Sequence, residues 1–402
     1  MATNDPLVGN PIVDYSNWMG DMYSNIPYKL ISMAGAHDAG MYESQHSTNL
    51  GSYGDGQNVL TQSKTFKQML QAGIRYFDVR PGYYIHQDGT KTFRTGHFHT
   101  SNKGTSASCT MGATGANLDD ILDDVLDFVS KTRKEIVILK FSHYFQYTNI
   151  NGGVDNAIED DGYHNSVFNP FKTELVSYVN SYFSSNNQEW RLKYNNDKIT
   201  AHYNSLTDAQ KAAWRIWDCT LDELSDGHSR VVLLFDNISN LSTNDRDYSF
   251  KDMVPDSSDN PTYVLDGSNG RPLPIADFIL YDCYSNQDTY GEIYPDQLSK
   301  YSTTNYHKGD MFLLSWTATQ GAYDQFANGG AWPFHGDSIE DLATALNSQL
   351  LTSISSFPIV VNGGNLTQTP KVANIIYTDY CDQFVADAAN YVNDQVKGYL
   401  NL

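Results

Sequence analysis

Short apolar runs recur along the chain, each followed by loop residues and often by a helical pattern. Seven runs predict strands: 29–34 (KLISMA), 76–80 (YFDVR), 135–141 (EIVILKF), 230–235 (RVVLLF), 278–281 (FILY), 311–316 (MFLLSW) and 374–378 (NIIYT). Several are almost wholly apolar, the pattern of parallel strands covered on both faces. Between the strands, 117–129 puts apolar residues at 118, 121, 122, 125, 126 and 129, acids opposite, and Asn117 at the cap position, which predicts an amphipathic helix. Stretches 342–351 and 384–399 predict two more. Alternating strands and helices predict an α/β fold with a parallel sheet, and seven or eight strands in one chain predict a single, distorted (β/α)8-type barrel. Three stretches break the rhythm, 102–116, roughly 146–200 and 240–275; they read as loop insertions in one domain over 1–402, with its core at about 18–385.

Composition narrows the function. Of 402 residues, 40% are hydrophobic and 13% aromatic, enough for a large core and against disorder. The net charge of −21 leaves no field to attract DNA or RNA and makes the chain a poor general binder of anionic membranes. No run reaches the ~18 uninterrupted apolar residues of a membrane span, and residues 1–18 lack a basic start followed by an apolar block. Cys109, Cys219, Cys283 and Cys381 lie far apart, without a CxxC or Cys/His ligand spacing. Neither a zinc site nor a disulfide framework is indicated, and four unpaired thiols are expected.

In such a barrel, chemistry gathers at the C-terminal ends of the strands. His37 and Asp38 follow the first run, and Asp78 and Arg80 end the second, on one strand face. His97 and His99 follow a short run at 92–93; His143, Asp236 and Asp379 close three further strands. Taken singly, a strand-end histidine is usually a structural hydrogen-bonder, an Asp-x-Arg pair usually a local salt bridge. Converging at one mouth, two histidines with Asp partners and a fixed cation suit acid–base chemistry around an anion. A phosphodiester with a neighbouring hydroxyl fits best, and the residue types alone stop at that reaction class.

The motifs go further. Trp18–Met19 followed by Ile31–Gly40 (ISMAGAHDAG) resembles the opening of phosphatidylinositol-specific phospholipase C X-type catalytic domains, which read close to "WM…ISIPGTHDSG". Gln62, Gln68 and Leu70 ahead of Gly73–Arg80 (GIRYFDVR) resemble the second block of that family, Glu135–Phe145 (EIVILKFSHYF) its next strand, and Pro370–Tyr380 its closing block. The matches run in family order from about 18 to 385; the first two blocks are the specific ones. This resemblance implies a distorted TIM barrel and a lyase that cleaves phosphatidylinositol, or a glycosylated form of it, to diacylglycerol and a cyclic inositol phosphate. It implies His37 as the base on the inositol 2-hydroxyl, Asp379 as its orienting partner, Arg80 on the phosphate with Asp38 beside it, and Asp78 as partner of the general acid. His99, His143 and Asp236 are expected to line the substrate site.

Calcium-using relatives carry a carboxylate where this chain has Arg80, and another where it has His143. A fixed guanidinium opposes a hard cation and can stabilise charge itself, so no metal or other cofactor is expected. In the family the acid histidine precedes a glycine; here the order is Gly96-His97, with His99 close behind, so His97 is the first candidate for the acid and His99 the second. The expected partners are a phospholipid or soluble inositol phosphodiester and, transiently, a membrane surface. The chain is expected to be a monomer, and secretion follows by family analogy. Two rivals remain: a metal-using sphingomyelin- or glycerophosphodiester-cleaving barrel, and a non-catalytic headgroup- or glycan-binding one. Most of the 28 tyrosines, Tyr83, Tyr84, Tyr144 and Tyr147 among them, are expected to pack, as are Trp214 and Trp217.

Overall fold

The computed structural model describes residues 15–47, 56–85, 88–101, 109–150, 153–159, 165–183, 190–192, 196–235, 249–252, 277–302, 311–320, 337–357, 359 and 371–402. Its strands are β1 (Met33–Ala36), β2 (Ile74–Val79), β3 (Pro81–Ile85), β4 (Lys91–Ser101), β5 (Cys109–Asn117), β6 (Ile136–Phe141), β7 (Phe145–Ile150), β8 (Gly153–Glu159), β9 (Arg230–Phe235), β10 (Ser249–Asp252), β11 (Asp277–Asp282), β12 (Met311–Trp316) and β13 (Ile375–Thr378). Eight form one sheet in the order β10-β11-β12-β13-β1-β2-β6-β9, parallel at every pairing. The sheet curls until its edge strands β9 and β10 lie beside each other, giving the distorted α/β barrel. Residues of β1, β2, β6, β9, β12 and β13 are buried on both faces, which is why the sequence shows runs rather than alternation. The helix Leu118–Lys131 buries Leu118, Ile121, Leu122, Val125 and Val129 as its spacing predicts. The closing helix Gln383–Leu400 packs against β1 and β13.

Two barrel strands do not stop at the rim. β2 continues through Arg80 into β3, and β6 continues through Ser142–Tyr144 into β7. Together they found a second sheet of five strands, ordered β5-β4-β3-β7-β8. The crossing is stitched by Ser142 N–H donating to Val79 O at 3.1 Å and Gly96 N–H to Arg80 O at 3.0 Å. Two of the predicted insertions therefore need correction: 102–116 contributes most of β5, and 146–200 contributes most of β7, all of β8 and the helix Asn165–Phe183. The third, 240–275, holds β10, the barrel's eighth strand. Its four residues, SFKD, carry a single apolar side chain, so no hydrophobic run marks them. Tyr83, Tyr144, Trp214 and Trp217 are core residues, as expected; the side chains of Tyr84 and Tyr147 lie outside the description.

Below β2 and β6, away from the strand C-termini, a buried ion pair anchors the N-terminal segment. Arg75 Nε donates to Glu135 Oε2 at 2.6 Å with both side chains fully buried. Its Nη atoms donate to the carbonyls of Leu70, Ile74, Tyr15 and Ser16, so all five donors are used. Glu135 Oε1 accepts from Gly20 N–H at 2.9 Å. Removing one partner strands a buried charge. Glu135→Ala is expected to lower stability by about 3–5 kcal/mol in urea unfolding; a loss under about 1 kcal/mol, the range of an exposed pair, would contradict the burial.

Candidate active site

The ends of β1, β2 and β13, with β4 leaning in from the second sheet, bring together six of the residues singled out in the sequence. On β1 the inward positions alternate through Gly35 to His37, and Gly35 has no side chain because the Tyr76 ring and Ile375 occupy that space. His37 Nδ1 lies 2.6 Å from Asp379 Oδ1, and its Nε2 lies 2.6 Å from Arg80 Nη2. A guanidinium only donates. The contact therefore suits the His37 tautomer that carries its proton on Nδ1, facing Asp379, and turns the Nε2 lone pair to Arg80. Gln62 fixes the loop behind it, donating from Nε2 to His37 O at 2.7 Å and accepting at Oε1 from Cys381 N–H at 2.9 Å.

Arg80 is the hub. Its Nε donates to Asp78 Oδ2 at 3.0 Å and its Nη1 lies 3.5 Å from Asp38 Oδ2. That Asp38 oxygen also meets His97 Nδ1 at 2.7 Å, while Asp38 Oδ1 is buried without a hydrogen-bond partner among the described residues. Asp78 accepts further from Ser142 Oγ at 2.8 Å on Oδ1 and from Tyr377 Oη at 2.7 Å on Oδ2. Burial alone would raise the Asp78 carboxyl. The charges of Arg80 and Lys140, with His37 and His143 nearby, outweigh it and hold it well below the usual carboxylate range. Burial works against the Arg80 cation too, but Asp38 and Asp78 hold it charged. The side chains of His37, Arg80 and His97 keep 19%, 15% and 25% of their surface exposed, so the cluster opens to solvent from one side.

Local backbone geometry serves this arrangement. Asp38, His143 and Tyr380 have φ of +43°, +49° and +46°, each just past the end of β1, β6 or β13. Left-handed conformations at non-glycine residues cost of order 1 kcal/mol or more and gather at functional sites. The loop after β1 also presses against the second sheet: Thr95 Oγ1 donates to Gly40 O at 3.0 Å, and a Cβ on Gly40 would collide with the Thr95 side chain. That contact sets β4, and with it His97, at its distance from Asp38.

One expectation changes. The resemblance paired the acid histidine with Asp78, but His97 is held by Asp38, because Asp78 is saturated by Arg80, Ser142 and Tyr377. Phe98 turns to the opposite face of β4, packing at 5.0 Å on Phe145, which leaves His97 facing the cluster. His99 pairs with Met111 in the β4–β5 ladder, and its side chain lies outside the described residues, as does all of Asp236. His143 is exposed at the rim, close enough to Asp78 to act on its charge.

Tyr377, Ser142, Lys140 and Asp282 were not singled out in the sequence. Lys140 Nζ lies 2.6 Å from Asp282 Oδ2 at the same mouth. Its only sequence signal is a lysine inside an apolar run; Tyr377 reads as ordinary strand packing. Asp78, and Asp38 through Oδ2 alone, accept from Arg80, His97, Ser142 and Tyr377, with the guanidinium as their shared cation. Among the described residues one other cluster has ligand-like spacing, His202, Cys219 and Glu223. It lies by the segment preceding β1, where Tyr28 N–H donates to Cys219 O. Glu223 there closes the cap of the helix Leu221–Ser225 and accepts from His202 at 2.9 Å, while burial, with Glu223 and Asp218, raises the Cys219 thiol. A groove of about 670 Å³ runs along one face of the helix Asn165–Phe183, lined by Pro170, Glu174 and Tyr178, none of them in the cluster.

No family model matches the chain, and no curated protein does. Among solved structures it is similar to a phosphatidylinositol-specific phospholipase C of S. aureus, at 15% identity over 94% of this chain and 97% of that one, with a TM-score of 0.46. It is likewise similar to the phosphatidylinositol-specific phospholipase C of Listeria monocytogenes, at 16% identity over 94% and 99%, with a TM-score of 0.46. These are likenesses of coarse shape.

The depressed Asp78 carboxyl has a consequence for stability. A folded-state value below the unfolded one contributes stability above the unfolded value, about pH 4, and that contribution is lost as pH falls further. The gap between the urea midpoints of the wild type and Asp78→Asn should therefore be constant above about pH 5 and begin to narrow as pH falls below about 4. A gap independent of pH would show that Asp78 is not held as a carboxylate.

Proposed function

We propose that this chain is a metal-independent phosphodiesterase of the phosphatidylinositol-specific phospholipase C type. The observation that carries the reading is the single guanidinium set between two histidines of unlike surroundings: His37 Nε2 at 2.6 Å, and His97 across the shared Asp38 carboxylate. Such a site binds a tetrahedral anion and flanks it with a proton acceptor and a proton donor. The blocks around His37 and Arg80, which resemble that family, supply the substrate class.

In the proposed reaction the phosphate sits on Arg80 and displaces the Nη2–Nε2 contact. His37 Nε2 takes the proton of the inositol 2-hydroxyl, Asp379 holding the opposite side of the ring. The freed oxygen attacks phosphorus, a five-membered cyclic phosphodiester forms, and the bond to the diacylglycerol oxygen breaks. His97, oriented by Asp38, gives that oxygen its proton. Arg80 meets the extra negative charge of the transition state from a position fixed beforehand, so little reorganisation is needed when the charge develops. Lys140 and Asp282, a charged pair at the mouth, offer donor and acceptor atoms to the ring hydroxyls. A net charge of −21 makes contact with anionic bilayers transient.

The first test is phosphorus NMR of phosphatidylinositol in mixed micelles with the protein and excess EDTA. A cyclic inositol phosphate resonance is expected; turnover only after adding Ca²⁺ or Mg²⁺ would favour the metal-using reading, and none in either condition a binding module. In the same assay, His37→Ala should fold and lose about 10²–10⁴-fold in turnover. Arg80→Lys keeps the charge but not the fork and should lose about 10²-fold or more. Full turnover in either variant would remove that residue from the mechanism.

A further inference from the structure

The reading above needs Arg80 to present its charge to the phosphate rather than collapse onto its carboxylates. We propose that Tyr377 is the positioning residue that keeps it available, by donating its hydroxyl to the Asp78 oxygen that also receives Arg80 Nε. The two donors lie 2.7 Å and 3.0 Å from Asp78 Oδ2, and Ser142 Oγ takes Oδ1 at 2.8 Å. Sharing one oxygen fixes the carboxylate plane, and so the direction in which the guanidinium fork points.

Tyr377 is suited to this role. It lies on the inward face of β13, two positions before Asp379, so one strand carries the partner of the base and the brace of the cation. Its ring meets the His37 imidazole edge-on, with centroids 5.2 Å apart at 70°, and that of Tyr76 at 6.0 Å and 74°. The hydroxyl is therefore held in place by packing as well as by its hydrogen bond. Burial, with Asp78 close by, keeps the phenol protonated far above neutral pH, so it remains a donor. A phenylalanine would fill the same space without the bond.

This inference rests on the proposed reaction, so its test includes an arm that needs no turnover. Tyr377→Phe is compared with the wild type and with Tyr301→Phe. Tyr301 is also buried and donates to a backbone carbonyl, Lys371 O at 3.2 Å, but it belongs to no part of the site. In nitrogen-edited NMR of the substrate-free protein, the Arg80 Nε–H should exchange with water about tenfold faster in Tyr377→Phe and unchanged in Tyr301→Phe. On phosphatidylinositol micelles, kcat should fall about tenfold in Tyr377→Phe with KM within about twofold, the size of one hydrogen bond to a charged group. Tyr301→Phe should lower the urea midpoint without touching kcat. Unchanged Arg80 exchange in Tyr377→Phe would overturn the proposal whatever the rate does, and so would an equal loss of kcat in both variants. Faster Arg80 exchange in a protein whose wild type turns nothing over would uphold the brace and refute the reaction.

Discussion

The mouth of this barrel is organised around one desolvated cation. A guanidinium with 15% of its side chain exposed needs charged partners, and Arg80 finds them in Asp38 and Asp78. Each carboxylate then has acceptor capacity to spare, and neighbouring donors take part of it: His97 on Asp38 Oδ2, and Ser142 and Tyr377 on Asp78. His37 completes the ring by turning its lone pair to the same guanidinium, its other nitrogen held by Asp379. The orientation of the side chains at this mouth thus follows from satisfying Arg80.

The scaffold keeps that network stiff. A left-handed residue stands just past the ends of β1, β6 and β13, so the chain turns sharply where the site begins. Such strain persists only where the surroundings over-determine it. The parallel ladder below supplies that constraint, together with the Gln62 staple and the press of Thr95 on Gly40. A loose rim could not hold imidazoles and guanidinium to within a few tenths of an ångström.

The second sheet explains how a histidine distant from any barrel strand end enters the cluster. By running on through Arg80 and through Ser142, β2 and β6 plant β3 and β7 over one side of the mouth, and β4 hangs from β3 by an antiparallel ladder. His97 is thus carried in on an extension of the strand that bears Asp78 and Arg80. The aromatic packing of Tyr83 and Phe93 with Phe171 seats that sheet against the helix Asn165–Phe183.

The amino-acid sequence by itself determined the parallel α/β class, most of the barrel strands, the helix at Leu118–Lys131 and the identity of six residues at the mouth. Period and burial explain the first three: a strand covered on both faces must be apolar at nearly every position, and a half-buried helix must be striped. Five of the six were legible because polar groups at the ends of apolar strands have one place to go in such a barrel; His97 instead reaches the mouth on β4 of the second sheet. Other features were decided only in three dimensions. β10 has too few apolar side chains to announce itself and exists through pairing with β11. The partner of His97 depends on which carboxylate is already saturated, a question of distances among Ser142, Tyr377 and Arg80 that no spacing encodes. Tyr377 itself reads as a core aromatic; only the meeting of β13 with β2 across β1 turns its hydroxyl toward a charge, because hydrogen bonds between segments 299 residues apart are set by the fold alone.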